Sequence, residues 1–473
     1  MDPVTKALDE LHRRISGLRG GEVASYIPKL AQADPEDFGI AITSMGGRRY
    51  QAGKADTEFT IQSVSKPFVY ALALTDLGPD EMLRRVGAEP SGEAFNAISL
   101  EPGTGRPANP MVNAGAIATT ALVSAADTEA RSARILDCLS AFAGRRLGYD
   151  EEVYASEAAT GDRNRALAYL MRSAGSLSDD PYAVTATYFR QCSVLVTAAD
   201  LAVMAATLAN GGRNPVTGER VVERSVAVRT LAVMATCGMY DGAGEWLLNV
   251  GLPAKSGVSG GLIAVGPGRF GVAVYSPPLD PAGNSVRGVA ALTAMSERLA
   301  LHLMHAPVHL TATVTDTGHG ARSSRARSPE QTALLNRSSR RIIAVGAQGE
   351  LEFTETEQLL GAVEGAVPAS PGWLVLDLMA VTGIRPGSAA MLAAGLADIA
   401  RRGHRIVVAA QEPFLAAADG HSDGHSDGHS DGDPDGHPDW HAFGSRDDAV
   451  AWCEDQLLAG EPPAGPPAAE GGS

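Results

Sequence analysis

Seven consecutive residues, Phe68 to Leu74, are apolar and leave a helix no polar face. A helix of that composition is stable only inside a core, so the fold has to be built around it. Just upstream stand Ser63-Val64-Ser65-Lys66-Pro67. Proline is tolerated in a first helical turn and breaks a helix further along, so the helix is expected to start here, with Ser63 and Lys66 on its first turn. Three residues apart, the two share one face. The free N–H groups and dipole of a helix N-terminus favour an alkoxide or oxyanion at Ser63 and disfavour an ammonium on Lys66. The pair is a candidate nucleophile and base, although an isolated Ser-x-x-Lys match is more often chance.

The distribution of histidine narrows the chemistry. Of eleven histidines, one is His12 and ten lie at or beyond His302, so residues 13–301 contain none. A Ser-His-Asp triad cannot be assembled within that block. If Ser63 attacks, the nearest base is Lys66, and its site must be desolvated to bring a lysine towards neutrality.

Around this stretch the patterns alternate. Val4, Leu8, Leu11, Ile15 and Leu18 form the stripe of an amphipathic helix stopping at Gly20-Gly21. Residues 38–44 and 48–52 read as strands joined across Met45-Gly46-Gly47. Residues 77–161 mix helices with a Gly- and Pro-rich loop at 101–110, and 163–173 are helical. Thr197-Ala198-Ala199-Asp200 is a capping box opening a helix that ends at Asn210-Gly211-Gly212. Strands return at 254–258, 262–265 and 270–276, and 288–305 is a closing helix. The expected fold is α+β: one antiparallel sheet assembled from both ends of the block, with a helical insert between. It would bring Ser63 beside Lys255-Ser256-Gly257.

A length of 473 residues implies more than one domain. The division expected is 1–306, a linker at 307–337, a second domain at 338–460 and a disordered tail at 461–473. In the second domain, strands at 342–346, 373–378 and 405–410 alternate with helices at 354–367, 387–402 and 447–458, which predicts a small, largely parallel α/β sheet. Residues 419–440 carry repeats of Gly-His-Ser-Asp and should be a disordered insert. His421, His425, His429, His437 and His441 with nearby aspartates are metal-ligand types, but a solvated repeat is the simpler reading. The net charge of −16 argues against nucleic acid or an anionic membrane as partner. The widely spaced Cys138, Cys192, Cys237 and Cys453 indicate neither a zinc ribbon nor a disulfide framework, and Cys192 and Cys237 read as packing residues. The first 19 residues lack a signal-peptide core and no run reaches membrane-spanning length, so the compartment expected is the cytoplasm.

Seven motifs, in order, carry a resemblance: Ser25-Tyr26-Ile27-Pro28, Gln62-Ser63-Val64-Ser65-Lys66, Asn109-Pro110-Met111-Val112-Asn113-Ala114-Gly115-Ala116-Ile117, Ser156-Glu157 with Gly161-Asp162-Arg163-Asn164-Arg165-Ala166, Tyr188-Phe189-Arg190-Gln191-Cys192-Ser193, Cys237-Gly238-Met239-Tyr240-Asp241 and Pro253-Ala254-Lys255-Ser256-Gly257-Val258-Ser259-Gly260-Gly261. On these, residues 8–305 are identified as a member of the serine-dependent glutaminase family, whose fold is similar to that of β-lactamases and penicillin-binding proteins. The resemblance implies hydrolysis of L-glutamine to L-glutamate and ammonia through a Ser63 acyl-enzyme with Lys66 as general base. It implies an oxyanion held by the N–H groups of Ser63 and Val258, a proton relay through Tyr26 and Tyr240, and Lys255 helping to keep Lys66 neutral. Glu157 would meet the substrate α-ammonium, and Asn113, Asn164 and Tyr188 its α-carboxylate, with Tyr240 also at the substrate. It implies no metal, no cofactor and a homo-oligomer, dimer or tetramer. A serine amidohydrolase of β-lactamase type acting on another amide is the alternative within this chemistry.

The second domain resembles the STAS domain through Gly349-Glu350-Leu351, Leu374-Val375-Leu376-Asp377-Leu378 and Val381-Thr382-Gly383-Ile384. That likeness implies a regulatory partner. The chain departs from it where a phosphorylated Ser or Thr would open the second helix: Arg385-Pro386-Gly387-Ser388 stands there, and Ser388 reads as a helix-capping hydroxyl. A STAS-linked regulatory binding protein is the alternative from another functional class.

Overall fold

The hairpin expected near the start forms between Gly39–Ser44 (β1) and Arg49–Gly53 (β2), paired antiparallel. The computed structural model describes residues 3–91, 100–304, 313–338, 341–411 and 440–460, in two units, 1–306 and 307–473. In the first unit two short strands, Phe59–Thr60 (β3) and Leu195–Val196 (β4), pair with each other. Three more strands come from the far end of the unit: Ala254–Ser256 (β5), Gly261–Gly266 (β6) and Phe270–Tyr275 (β7). The main sheet runs β2-β1-β7-β6-β5, antiparallel throughout.

Alternation along these strands decides what each face meets. Ile40, Leu262, Ala264, Val272 and Val274 turn to a core shared with helices Pro3–Ser16 and Val286–Leu299. Ala41, Ile263, Val265, Ala273 and Tyr275 turn to the helical body. Lys255 is paired with Ile263, so its side chain falls on the helical face. A slip of one residue would bury its amine in the other core.

The apolar run becomes the helix Lys66–Leu77, with Phe68 to Leu74 all buried. It packs against helices Asn113–Leu122, Thr128–Ala143 and Arg224–Cys237. Ser63 is not on this helix as expected but on the tighter 3₁₀ turn Gln62–Ser65 before it. Gln62 has φ +48°, which interrupts α-helical geometry one residue ahead of Ser63. The first helix ends at Ser16, so Leu18 lies beyond it and is exposed, as is Val4, while Leu8, Leu11 and Ile15 are buried. The capping box forms as expected: Asp200 N–H donates to Thr197 Oγ1 (3.1 Å) and Thr197 N–H to Asp200 Oδ2 (2.8 Å).

The second unit holds a mixed sheet of Val314–His319 (β8), Ile342–Leu351 (β9), Trp373–Ile384 (β10), Arg405–Ala409 (β11) and His441–Phe443 (β12), in the order β12-β11-β10-β9-β8. β9 to β12 are parallel, as expected of a largely parallel sheet, and β8, a strand not expected from the sequence, lies antiparallel on β9 and makes the sheet mixed. Helices Phe353–Ala366 and Pro386–Arg401 contribute to the core on one face, and Pro329–Arg337 and Arg446–Leu458 to that on the other. The linker expected at 307–337 is corrected here, because 314–337 belong to this unit as β8 and the helix Pro329–Arg337. Between those elements Ser323, Ser324, Arg325 and Arg327 are bound to Glu454, Asp447 and Asp455, which turns a Ser- and Arg-rich stretch into a strap. His441, grouped with the repeat by sequence, sits in β12 with its ring 4.3 Å from that of Trp452. His421, His425, His429 and His437, with the rest of residues 419–439 and the tail, lie outside the described residues. No helix among the described residues is long and apolar enough to cross a membrane.

Candidate active site

Three pieces of chain meet at Ser63. The 3₁₀ turn that carries it is tied down by Ile61 N–H to Val194 O (2.8 Å). The end of β5 lies against this turn, where a side chain on Gly257 would put a Cβ 3.1 Å from both Ile61 O and Val64 Cγ2. The third piece is the turn 109–113, which packs so closely under its own helix that a Cβ on Gly115 would stand 1.8 Å from Asn109 O.

That third piece holds Lys66. The lysine is buried, and its Nζ donates to Asn113 Oδ1 (2.7 Å) and Met111 O (3.1 Å). Burial brings its pKa down to about 8, against the opposing pull of Cys192 and Glu157. Tyr240 adopts φ +57°, an unusual conformation for a residue of its size, and its hydroxyl faces Ser63 and donates to Ser256 O (3.3 Å). Burial pushes the phenol up to about 12, with the Ser63 and Ser256 side chains opposing.

Lys255 lies beneath the Tyr240 ring, its Nζ 3.9 Å from the centroid, and donates to the same Ser256 carbonyl (2.7 Å). Lys66 Nζ is 5.9 Å from that centroid. Burial first, and then Lys66, hold the Lys255 amine well below the ordinary lysine range.

Ser63 opens on a cavity of about 100 Å³ whose lining includes Val258 and Tyr26. Tyr26 stands at its mouth, 55% exposed. No acceptor among the described residues takes the Val258 N–H. Asn113, Glu157, Asn164 and Tyr188 complete the polar lining predicted from sequence. Asn113 Nδ2 donates to Asn164 Oδ1 (3.0 Å), so Asn113 bridges Lys66 and the cavity. Glu157 is buried, and burial raises its pKa to about 8, with Gln62 and Lys66 opposing. Burial and then the nearby Cys192 raise the Tyr188 phenol well above its ordinary range.

The amino-acid sequence matches the family described as Glutaminase over residues 21–304. The chain belongs to the glutaminase family. It is 42% identical over 96% of its length to Glutaminase 2 of Bradyrhizobium diazoefficiens, covering 72% of that protein. A crystal structure of Mglu in its L-glutamate binding form superposes with a TM-score of 0.75 at 39% identity, over 88% of this chain and 99% of that one. A probable glutaminase from Bacillus subtilis complexed with 6-diazo-5-oxo-L-norleucine gives 0.59 at 31% identity, over 64% of this chain and 97% of that one. As a glutaminase, the protein is an amidohydrolase that hydrolyses glutamine.

The glutaminase cavity also has members that sequence reasoning did not assign: Ile27, Gln62, Thr160, Gly161 and Arg163. Gln62 is the most telling, because its Nε2 donates to Thr60 Oγ1 (3.3 Å) and Glu157 Oε2 (3.4 Å). All but Thr160 lie inside the seven motifs, so position within a motif was the available signal.

Proposed function

We propose that glutamine is hydrolysed at Ser63 through an acyl-enzyme. Lys66, kept partly neutral by burial, takes the Ser63 proton as Oγ attacks the side-chain amide carbon. The N–H groups of Ser63 and Val258 hold the oxyanion. The proton then passes through Tyr240 and Tyr26 to the departing nitrogen, the C–N bond breaks and ammonia leaves. Water attacks the resulting ester and releases glutamate. Glu157 binds the α-ammonium, while Asn113, Asn164 and Tyr188 bind the α-carboxylate. Lys255 supports Tyr240 from below.

The observation that carries this reading is Ser63, beside Tyr240 and lining a polar cavity that also holds the buried carboxylate of Glu157. The relatives crystallised with L-glutamate and with the diazo-ketone analogue support an amino-acid substrate. Intact mass after incubation with 6-diazo-5-oxo-L-norleucine should rise by one adduct in the wild type and not in Ser63→Ala. Ammonia release by Ser63→Ala at the wild-type rate would remove Ser63 as nucleophile.

The second unit is proposed as a STAS-like module that binds a regulatory partner or a second copy. Support comes from its parallel strands β9, β10 and β11 with helices Phe353–Ala366 and Pro386–Arg401 on one face. A homo-oligomer, dimer or tetramer, is expected from the family and is measurable by light scattering. The four unpaired cysteines favour a reducing compartment, the cytoplasm.

A further inference from the structure

Behind the nucleophile turn runs a buried polar chain that the steps above do not use. Thr120 Oγ1 donates to Gln191 Oε1 (2.9 Å), Gln191 Nε2 donates to Ser65 Oγ (2.9 Å), and Ser65 Oγ donates to Gln62 O (2.7 Å). Every member is at most 2% exposed. The Gln62 carbonyl can only accept, and with the single Ser65 proton on it Gln191 offers its nitrogen to Ser65 and its oxygen to Thr120, whose hydroxyl also lies 2.9 Å from Ala116 O. Residues 71 and 126 positions apart in sequence are joined to reach one backbone carbonyl.

That carbonyl belongs to the Gln62–Ser63 peptide. A trans peptide is planar, so its C=O and N–H point opposite ways, and the chain has no cis bond among the described residues. Anchoring Gln62 O in the core sends Ser63 N–H away from the anchor. Gln62 also holds φ +48°, a conformation that persists in a non-glycine residue only where its surroundings enforce it. We propose that Ser65 and Gln191 are positioning residues, which pin the Gln62–Ser63 peptide so that Ser63 N–H faces the oxyanion. This rests on the reading of Ser63 as nucleophile and of its N–H as an oxyanion donor.

The test uses the full chain, with Ser65→Ala and Gln191→Leu cutting the chain at two points and Ser65→Cys keeping a weak donor. Loss of one oxyanion donor lowers kcat roughly 10²–10³-fold in other enzymes, and partial misplacement should cost roughly 10–100-fold. KM should stay within about twofold, because only transition-state contacts are lost. Binding is followed by calorimetry with two ligands. L-glutamate occupies the cavity without a bond to Ser63. The analogue with a boronic acid in place of the side-chain amide forms a bond from Ser63 Oγ to boron, gives up the serine proton and places an oxygen in the oxyanion position. In both cutting variants boronate affinity should fall by the same factor as kcat while glutamate affinity holds, with Ser65→Cys intermediate. Unchanged kcat in both variants, or equal losses for glutamate and boronate, would overturn the proposal. A wild-type enzyme that binds the boronate no better than glutamate would overturn the Ser63 reading itself, and this proposal with it.

Discussion

Lys66 Nζ donates to Asn113 Oδ1 across 2.7 Å, and the same Asn113 lines the cavity on which Ser63 opens. One side chain thereby touches the amine proposed as general base and the cavity proposed for the substrate. A carboxylate at that distance would favour the ammonium and raise the Lys66 pKa by roughly one to three pH units. Asn113→Asp should therefore shift the acid limb of the kcat profile to higher pH and lower kcat at pH 7 by about tenfold or more. Recovery of kcat above pH 9 distinguishes this from simple loss of the site.

Lys66 and Glu157 are both brought to about 8 by burial, one from above and one from below. Raising the pH through 8 creates neutral Lys66 and ionised Glu157, the two forms the proposed reaction uses. kcat/KM should thus climb steeply between pH 6 and 8, with the sum of two deprotonations. In Glu157→Gln the limb should become the shallower one of a single group, with KM raised and the kcat limb of Lys66 kept. Initial rates of ammonia release from pH 6 to 10 decide it.

Gly238 caps the helix Arg224–Cys237 just before Tyr240, and its backbone is ordinary at φ −69°. Space is what it lacks, since a Cβ there would stand 1.8 Å from Ala254 O. Gly238→Ala should push the Tyr240 turn away from β5 and destabilise the protein by about 1–3 kcal/mol, the usual cost of overpacking. Urea unfolding measures the loss, and kcat should fall with it because Tyr240 is displaced from Ser63.

In the second unit Arg327 pairs with Glu454 at 3.0 Å, with side-chain exposures of 10% and 2%. Removing Arg327 leaves the buried Glu454 carboxylate with only Arg322 at 3.8 Å and the Ser323 donors, so the cost should lie below the roughly 3–5 kcal/mol of a wholly stranded charge. Arg327→Ala should accordingly lower the melting temperature seen by tryptophan fluorescence. Trp373, Trp440 and Trp452 all lie in this unit and only Trp246 in the other, so the signal reports mainly on it.

Most of the strands and helices around the site were legible because their signals are local. The capping box at Thr197 and Asp200 is spaced as its hydrogen bonds require, and the hairpin at Met45-Gly46-Gly47 is marked by its glycines. The strap at 322–328 was not legible, because Ser and Arg suit an exposed linker equally well until Glu454 and Asp455 arrive from 130 residues away. Gln62 escaped for a similar reason. Its spacing from Ser63 says nothing about Glu157, which is 95 residues distant.

Sequence alone determined the candidate reagents: a serine, a lysine one turn on, and no histidine between residues 13 and 301 to stand in for it. It also determined that the helix behind them must be buried, since seven successive apolar residues offer water no face. Tertiary structure decided where the groups point. Lys66 reaches Asn113, Tyr240 reaches Ser63, and the Gln62 carbonyl is drawn into the core by Ser65 and Gln191. Such directions depend on strand register, on two left-handed backbone positions and on contacts between distant segments, none of which is written in local spacing.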